Sequence, residues 1–158
     1  MTDMAHPEDT DTGAAVTVAL AGVARAAIAA AAPGELDYFD LVAVSWHDGG
    51  RRGVAGAAAG TVGSGAGPVV FSDVVFPLLT GAVAQVVGAA AFAGLRKRRW
   101  WRRRREPAAV AIRLDQVAAV RAACVAHGMT LGLSESEATL LADAINGALR
   151  AAAGGQPE

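Results

Sequence analysis

Cys124 and His127 stand three residues apart, a spacing that on a helix gives them a common face and could pair a thiol nucleophile with its base. Such chemistry also needs an acid to orient the imidazole and donors for an oxyanion, and no spacing in the chain assembles that set. Val117, Val120, Cys124 and His127 instead trace a packing stripe on which the thiol acts as a small apolar side chain. His6 lies in a polar lead-in and His47 follows Trp46; with a single cysteine these make no zinc-ligand pattern. The glycine-rich stretch from Gly49 to Pro68 would cradle phosphate only with a Lys-Ser/Thr ending, or in a βαβ setting with a downstream acid. The chain's one lysine is Lys97, so the stretch reads as a flexible loop. No catalytic, cofactor or metal residue is expected, and the chain reads as a non-enzyme.

The strongest chemistry is electrostatic. Arg96, Lys97, Arg98 and Arg99, then Trp100 and Trp101, then Arg102, Arg103, Arg104 and Arg105 form an unbroken basic–aromatic run in a chain of formal net charge -1. Residues 1–95 hold three basic and nine acidic side chains, the run holds eight basic and none acidic, and residues 106–158 hold three and six. A neutral average thus hides a cationic belt between two acidic flanks. Such a belt can adhere to an anionic membrane surface, each Lys or Arg adding about 1 kcal/mol of attraction, with tryptophans suited to headgroup depth. It could also grip the phosphates of a nucleic acid, but no nucleic-acid-binding motif surrounds it, which makes that reading less favoured.

What positions this belt is the apolar run before it. Val74 to Leu95 contains 22 residues and no charge. As a helix it would extend about 33 Å, against a hydrocarbon core of about 30 Å. Its Val, Leu and Phe side chains contribute about -3 to -6 kcal/mol towards insertion, opposed by Gln85, Pro77 and three glycines. The run is expected to be one long central helix that either spans a bilayer, with the basic run on the cytoplasmic side, or lies buried in a helical domain or oligomer.

The remaining organisation follows from composition. The chain of 158 residues is 53% hydrophobic but only 5% aromatic, so its core rests on small Ala and Val side chains. One cysteine excludes an internal disulfide framework and fits a reducing compartment. The acidic opening of residues 1–13 lacks the features of a secretory signal and reads as disordered. Residues 14–48 are expected to hold helices, the first over Ala14–Ala32 and stopped by Pro33-Gly34, with Arg25 opposing insertion in lipid. Leu36, Phe39, Val42 and Ala43 suggest a short second helix begun by Glu35, Asp37 and Asp40, although "LVAVSW" also suits a strand. A glycine loop over 49–68, the apolar helix with its basic end over 69–106, a helical unit over 107–153 and a tail over 154–158 complete the chain. The fold class is all-α.

The helical unit carries the clearest local code. Asp115 can cap a helix running to His127 with Gly128 as its stop, and Ser134 with Glu137 has capping-box spacing for a second helix to Ala153. Leu141, Ala144, Ile145 and Ala148 form the second helix's apolar stripe; Thr139, Asp143, Asn146 and Arg150 form its polar one. These two helices make an αα-hairpin.

The segments "LGLSESEATLLADAINGAL", "ELDYFDLVA" and "FPLLTGAVAQVV" resemble a group of small actinobacterial proteins with an Ala/Val-rich middle, an Arg-rich run and a closing helical hairpin. The resemblance covers about a third of the chain and implies an accessory role in conflict or signalling systems, with no site residues attached. The expectation is a membrane-associated helical accessory protein at the cell membrane with a cytoplasmic C-terminus, meeting a protein partner through its hairpin. A cytoplasmic adaptor or homo-oligomerisation module is the alternative.

Overall fold

The computed structural model describes residues 15–47, 68–88 and 109–155. Their order is β1 (Ala15–Ala19), α1 (Leu20–Ala31), a 3-10 turn (Pro33–Glu35), α2 (Leu36–His47), α3 (Phe71–Val87), β2 (Ala109–Arg113), α4 (Leu114–Thr130) and α5 (Glu135–Gly154). Helix α1 packs on α5, α5 on α4, α4 on α3 and α3 back on α1, closing a four-helix ring, and α2 lies outside it against α1 and α3. The acidic lead-in, the glycine loop and the entire basic run Arg96–Arg105 lie outside the described residues.

The architecture is mostly helical, as expected, with one small two-stranded sheet added. Residues 15–19, expected as the first turns of a helix, are a strand paired antiparallel with β2, from Ala15 opposite Arg113 to Ala19 opposite Ala109. The reason lies in the two sequences, "AVTVA" and "AVAIR". Both alternate, with Val18, Val110 and Ile112 buried while Ala15, Thr17, Ala19 and Ala111 face outward. Each strand runs straight into a helix, so no turn residue marks the change in the sequence.

Residues 74–87 of the uncharged run lie in helix α3. It begins three residues before Val74, at Phe71, and stops at Val87, where Gly88 takes φ 98° and its N–H bonds Ala84 O at 3.0 Å. Glycine reaches that left-handed region without a Cβ penalty; residues 89–95 of the expected long helix lie outside the described residues. Among the described residues no helix is long and apolar enough to cross a membrane. The apolar side chains of α3 face protein: Val75, Leu78, Leu79, Ala82 and Val83 are each 0% exposed. Phe76 is stacked between Phe39 and Trp46 of α2, with ring centroids 5.4 and 5.1 Å away. The helical reading of residues 36–47 therefore holds, with Phe39 and Val42 on the buried face.

The C-terminal hairpin forms with altered limits. Asp115 lies inside the first turn of α4 rather than capping it; the N–H of Arg113 is taken up by Gln116 Oε1 at 3.0 Å, and Asp115 pairs with the Arg113 guanidinium. Gly128 does not stop α4. It stays helical, and its missing side chain lets α5 and the turn pass so close that an added Cβ would lie 3.0 Å from Ala138 Cβ and 3.2 Å from Leu133 Cδ1. The turn comes at Gly132, with φ 94°. Ser134 then caps α5, accepting from the Glu137 N–H at 3.3 Å while Glu137 Oε2 takes the Ser134 N–H at 2.8 Å.

Candidate functional site

The expected anion-binding residues Arg96, Lys97, Arg98, Arg99, Trp100, Trp101, Arg102, Arg103, Arg104 and Arg105 lie outside the described residues. The described residues carry four arginines against eight carboxylates. Three of those arginines are already paired at the surface: Arg25 with Asp40 at 3.1 Å, Arg113 with Asp115, and Arg121 with Asp143. Both Arg25 and Arg121 have guanidinium pKa values raised by the hydrogen bond to the partner aspartate and by its charge. Arg25, which opposed membrane insertion in the sequence, thus ties α1 to α2. The described residues therefore carry an acidic surplus.

The most elaborate polar cluster joins α2 to α3. Val70 occupies the N-cap position of α3 and has no side-chain oxygen to receive the free N–H groups of the first turn. Glu35 performs that role from a distance. Its Oε1 accepts from the Phe71 N–H at 3.2 Å, and its Oε2 accepts from the Ser72 N–H at 2.8 Å and the Ser72 hydroxyl at 2.9 Å. Ser72 is 0% exposed, so this carboxylate satisfies an otherwise buried donor set. Beside it Tyr38 donates to Asp73 Oδ1 at 2.8 Å, and that hydrogen bond raises the phenol's pKa. The arrangement is a clamp: every donor has its acceptor, and the cluster does no evident chemistry. Sequence reading assigned Glu35 to the start of its own helix and missed its real target, 36 residues onward. The bare N-terminus of α3 was the available signal.

Cys124 and His127 lie on α4 as the spacing suggested. Cys124 is 0% exposed, and burial pushes its thiol from 9.0 up to about 12, so it stays protonated at neutral pH. Val117 and Val120 are buried beside it on the same stripe. His127 serves the α3–α4 contact: its ring covers Gly81, where an added Cβ would meet Nε2 at 2.5 Å and Cδ2 at 2.8 Å. His47 is the last residue of α2. Among the described residues no group of three His, Cys, Asp or Glu side chains could hold a metal ion.

The outward side of the hairpin bears a shallow, open depression lined by Ser134, Glu135, Ser136, Thr139, Leu140 and Asp143. Leu140 is half exposed within this acidic and hydroxyl-rich rim. Glu137 sits lower than a usual carboxylate because Ser134 hydrogen-bonds it from side chain and backbone. No family model, curated protein or solved structure matches this chain.

Proposed function

We propose that the chain is a non-enzymatic helical interaction module that adheres to an anionic membrane surface through Arg96–Arg105 and meets a protein partner through its C-terminal hairpin. In this reading it is a peripheral protein at the cytoplasmic side of the cell membrane, and residues 74–87 are a core helix. The resemblance to small actinobacterial proteins extends the proposal to an accessory role in bacterial conflict or signalling.

One observation carries the choice of peripheral over spanning attachment: the apolar side of α3 is enclosed by α1, α2 and α4. Val74, Val75, Phe76, Leu78, Leu79 and Val83 are each at most 2% exposed. Burial of such side chains stabilises by about 1.5–3 kcal/mol apiece, or about 9–18 kcal/mol together. Insertion of the longer 74–95 run offers only about -3 to -6 kcal/mol. Pulling α3 into lipid would also expose the faces of three other helices. With α3 held in the core, adhesion is left to the charged run.

Co-sedimentation of the full chain with vesicles of anionic lipid tests the proposal. Binding is expected at low salt, with release by high salt or alkaline carbonate and loss when the seven arginines of the run and Lys97 are replaced by Gln. Retention after carbonate treatment would reinstate the spanning helix. A chain left in the supernatant at low salt would leave the adaptor alternative, for which the same enclosed α3 is the supporting observation. Retention on a nucleic-acid column that outlasts vesicle binding would turn the basic run towards phosphate backbones instead.

A further inference from the structure

The β1–β2 ribbon is two strands wide, so among the described residues one edge of each strand pairs with no other strand. An open edge presents a row of N–H and C=O groups that another extended segment can take up. Folded chains commonly guard such an edge with charge, proline or a bulge. β1, "AVTVA", has none of these, and its five residues pair with β2 in unbroken register. β2 differs, since it ends on Arg113, whose guanidinium is held beside the strand by Asp115. Among the described residues the unguarded edge is therefore that of β1.

We propose that β1 pairs antiparallel with β1 of a second copy of this chain, joining two ribbons into a four-stranded sheet. The sequence is self-complementary in that register. A two-fold axis at Thr17 sets Ala15 opposite Ala19 of the second copy, Val16 opposite Val18, and Thr17 opposite its own counterpart. Because each pairing joins residues of the same face, half-buried Val16 and buried Val18 stay on the core side and the exposed Ala15, Thr17 and Ala19 stay outside. No charge confronts a like charge, and a Thr–Thr cross-strand pair is a favourable one. A closed two-fold contact also stops growth at two copies on this edge. A five-residue edge buries far less than the roughly 800 Å² per partner of a standard interface, so the dimer is reversible and set by concentration. The inference is independent of the anionic-surface reading.

The full chain at moderate salt tests it. Light scattering is expected to give a mass rising from one copy towards two with concentration. Thr17→Cys should form a disulfide-linked dimer on mild oxidation, since residues facing across such a pair lie within disulfide reach. The native chain should not, because its Cys124 is buried. Thr17→Lys puts like charges face to face and should weaken association several-fold, while circular dichroism and thermal unfolding of the exposed-site variant stay unchanged. Three results would overturn the proposal. A mass of one copy throughout assigns the edge to a foreign strand or to none. A dimer that oxidation of the Thr17→Cys variant fails to cross-link uses another surface, and so does a dimer indifferent to Thr17→Lys.

Discussion

Helices α2 and α3 are both rich in Val, Leu and aromatic residues, yet they have different fates. α3 buries nine of its 17 residues, while on α2 Leu41 remains 68% and Val44 60% exposed. The difference is one of neighbours. α3 packs against α1, α4 and α2, whereas among the described residues α2 packs chiefly against α1 and α3. Apolar content made both helices candidates for burial, and position in the ring determined which one received it. The apolar side chains of α3 are accordingly covered by protein.

That comparison is sharpest under truncation. Leu79→Ala in α3 should lose about 2–5 kcal/mol, as for other large-to-small changes at buried sites. Leu41→Ala in α2 should stay within about 0.5 kcal/mol. Urea unfolding followed by circular dichroism measures both, and equal losses would abolish the distinction. Next in size is Gly81→Ala, whose new methyl must displace the His127 ring and should cost about 1–3 kcal/mol. Combining it with His127→Ala should recover part of that loss, because the two residues share one contact. Glu35→Ala removes the remote cap on α3 and should destabilise by about 0.5–2 kcal/mol, with Glu35→Asp too short to rescue it.

A smaller effect at neutral pH concerns Cys124. Burial raises its folded-state pKa from 9.0 to about 12, so the folded chain holds the thiol proton more tightly than the unfolded chain. Its stabilising share is complete below pH 9, declines as the pH rises above that value, and is gone once the pH passes about 12. Cys124→Val should flatten this alkaline decline in unfolding experiments. In the native chain a thiol reagent should react only at the rate at which the protein opens.

Local signals were read well where the determinants are local. The Ser134–Glu137 capping box lies within four residues, and the stripe of Leu141 and Ile145 follows from helical period alone. The stop of α4 was misplaced because Gly128 and Gly132 look alike in sequence. Only the approach of Ala138 shows that Gly128 is there for space, and only a positive φ at Gly132 marks the turn. The role of Glu35 was hidden for a related reason: its acceptors face donors on another helix, at Phe71 and Ser72. Asn146, placed on the polar stripe of α5, has a buried Oδ1 without a hydrogen-bond partner among the described residues, which periodicity could not indicate.

By itself the sequence determined the helical hairpin, the mainly helical character, and the separation of one cationic run from acidic flanks, since each depends on residues within a few positions of one another. Tertiary structure alone decided that residues 15–19 form a strand and that α3 is a core helix. Ala15 finds its partner at Arg113, and the walls around Leu79 come from helices far away in the chain. A strand's hydrogen bonds and an apolar face's burial are completed by distant groups, so their outcome is settled only when those groups meet.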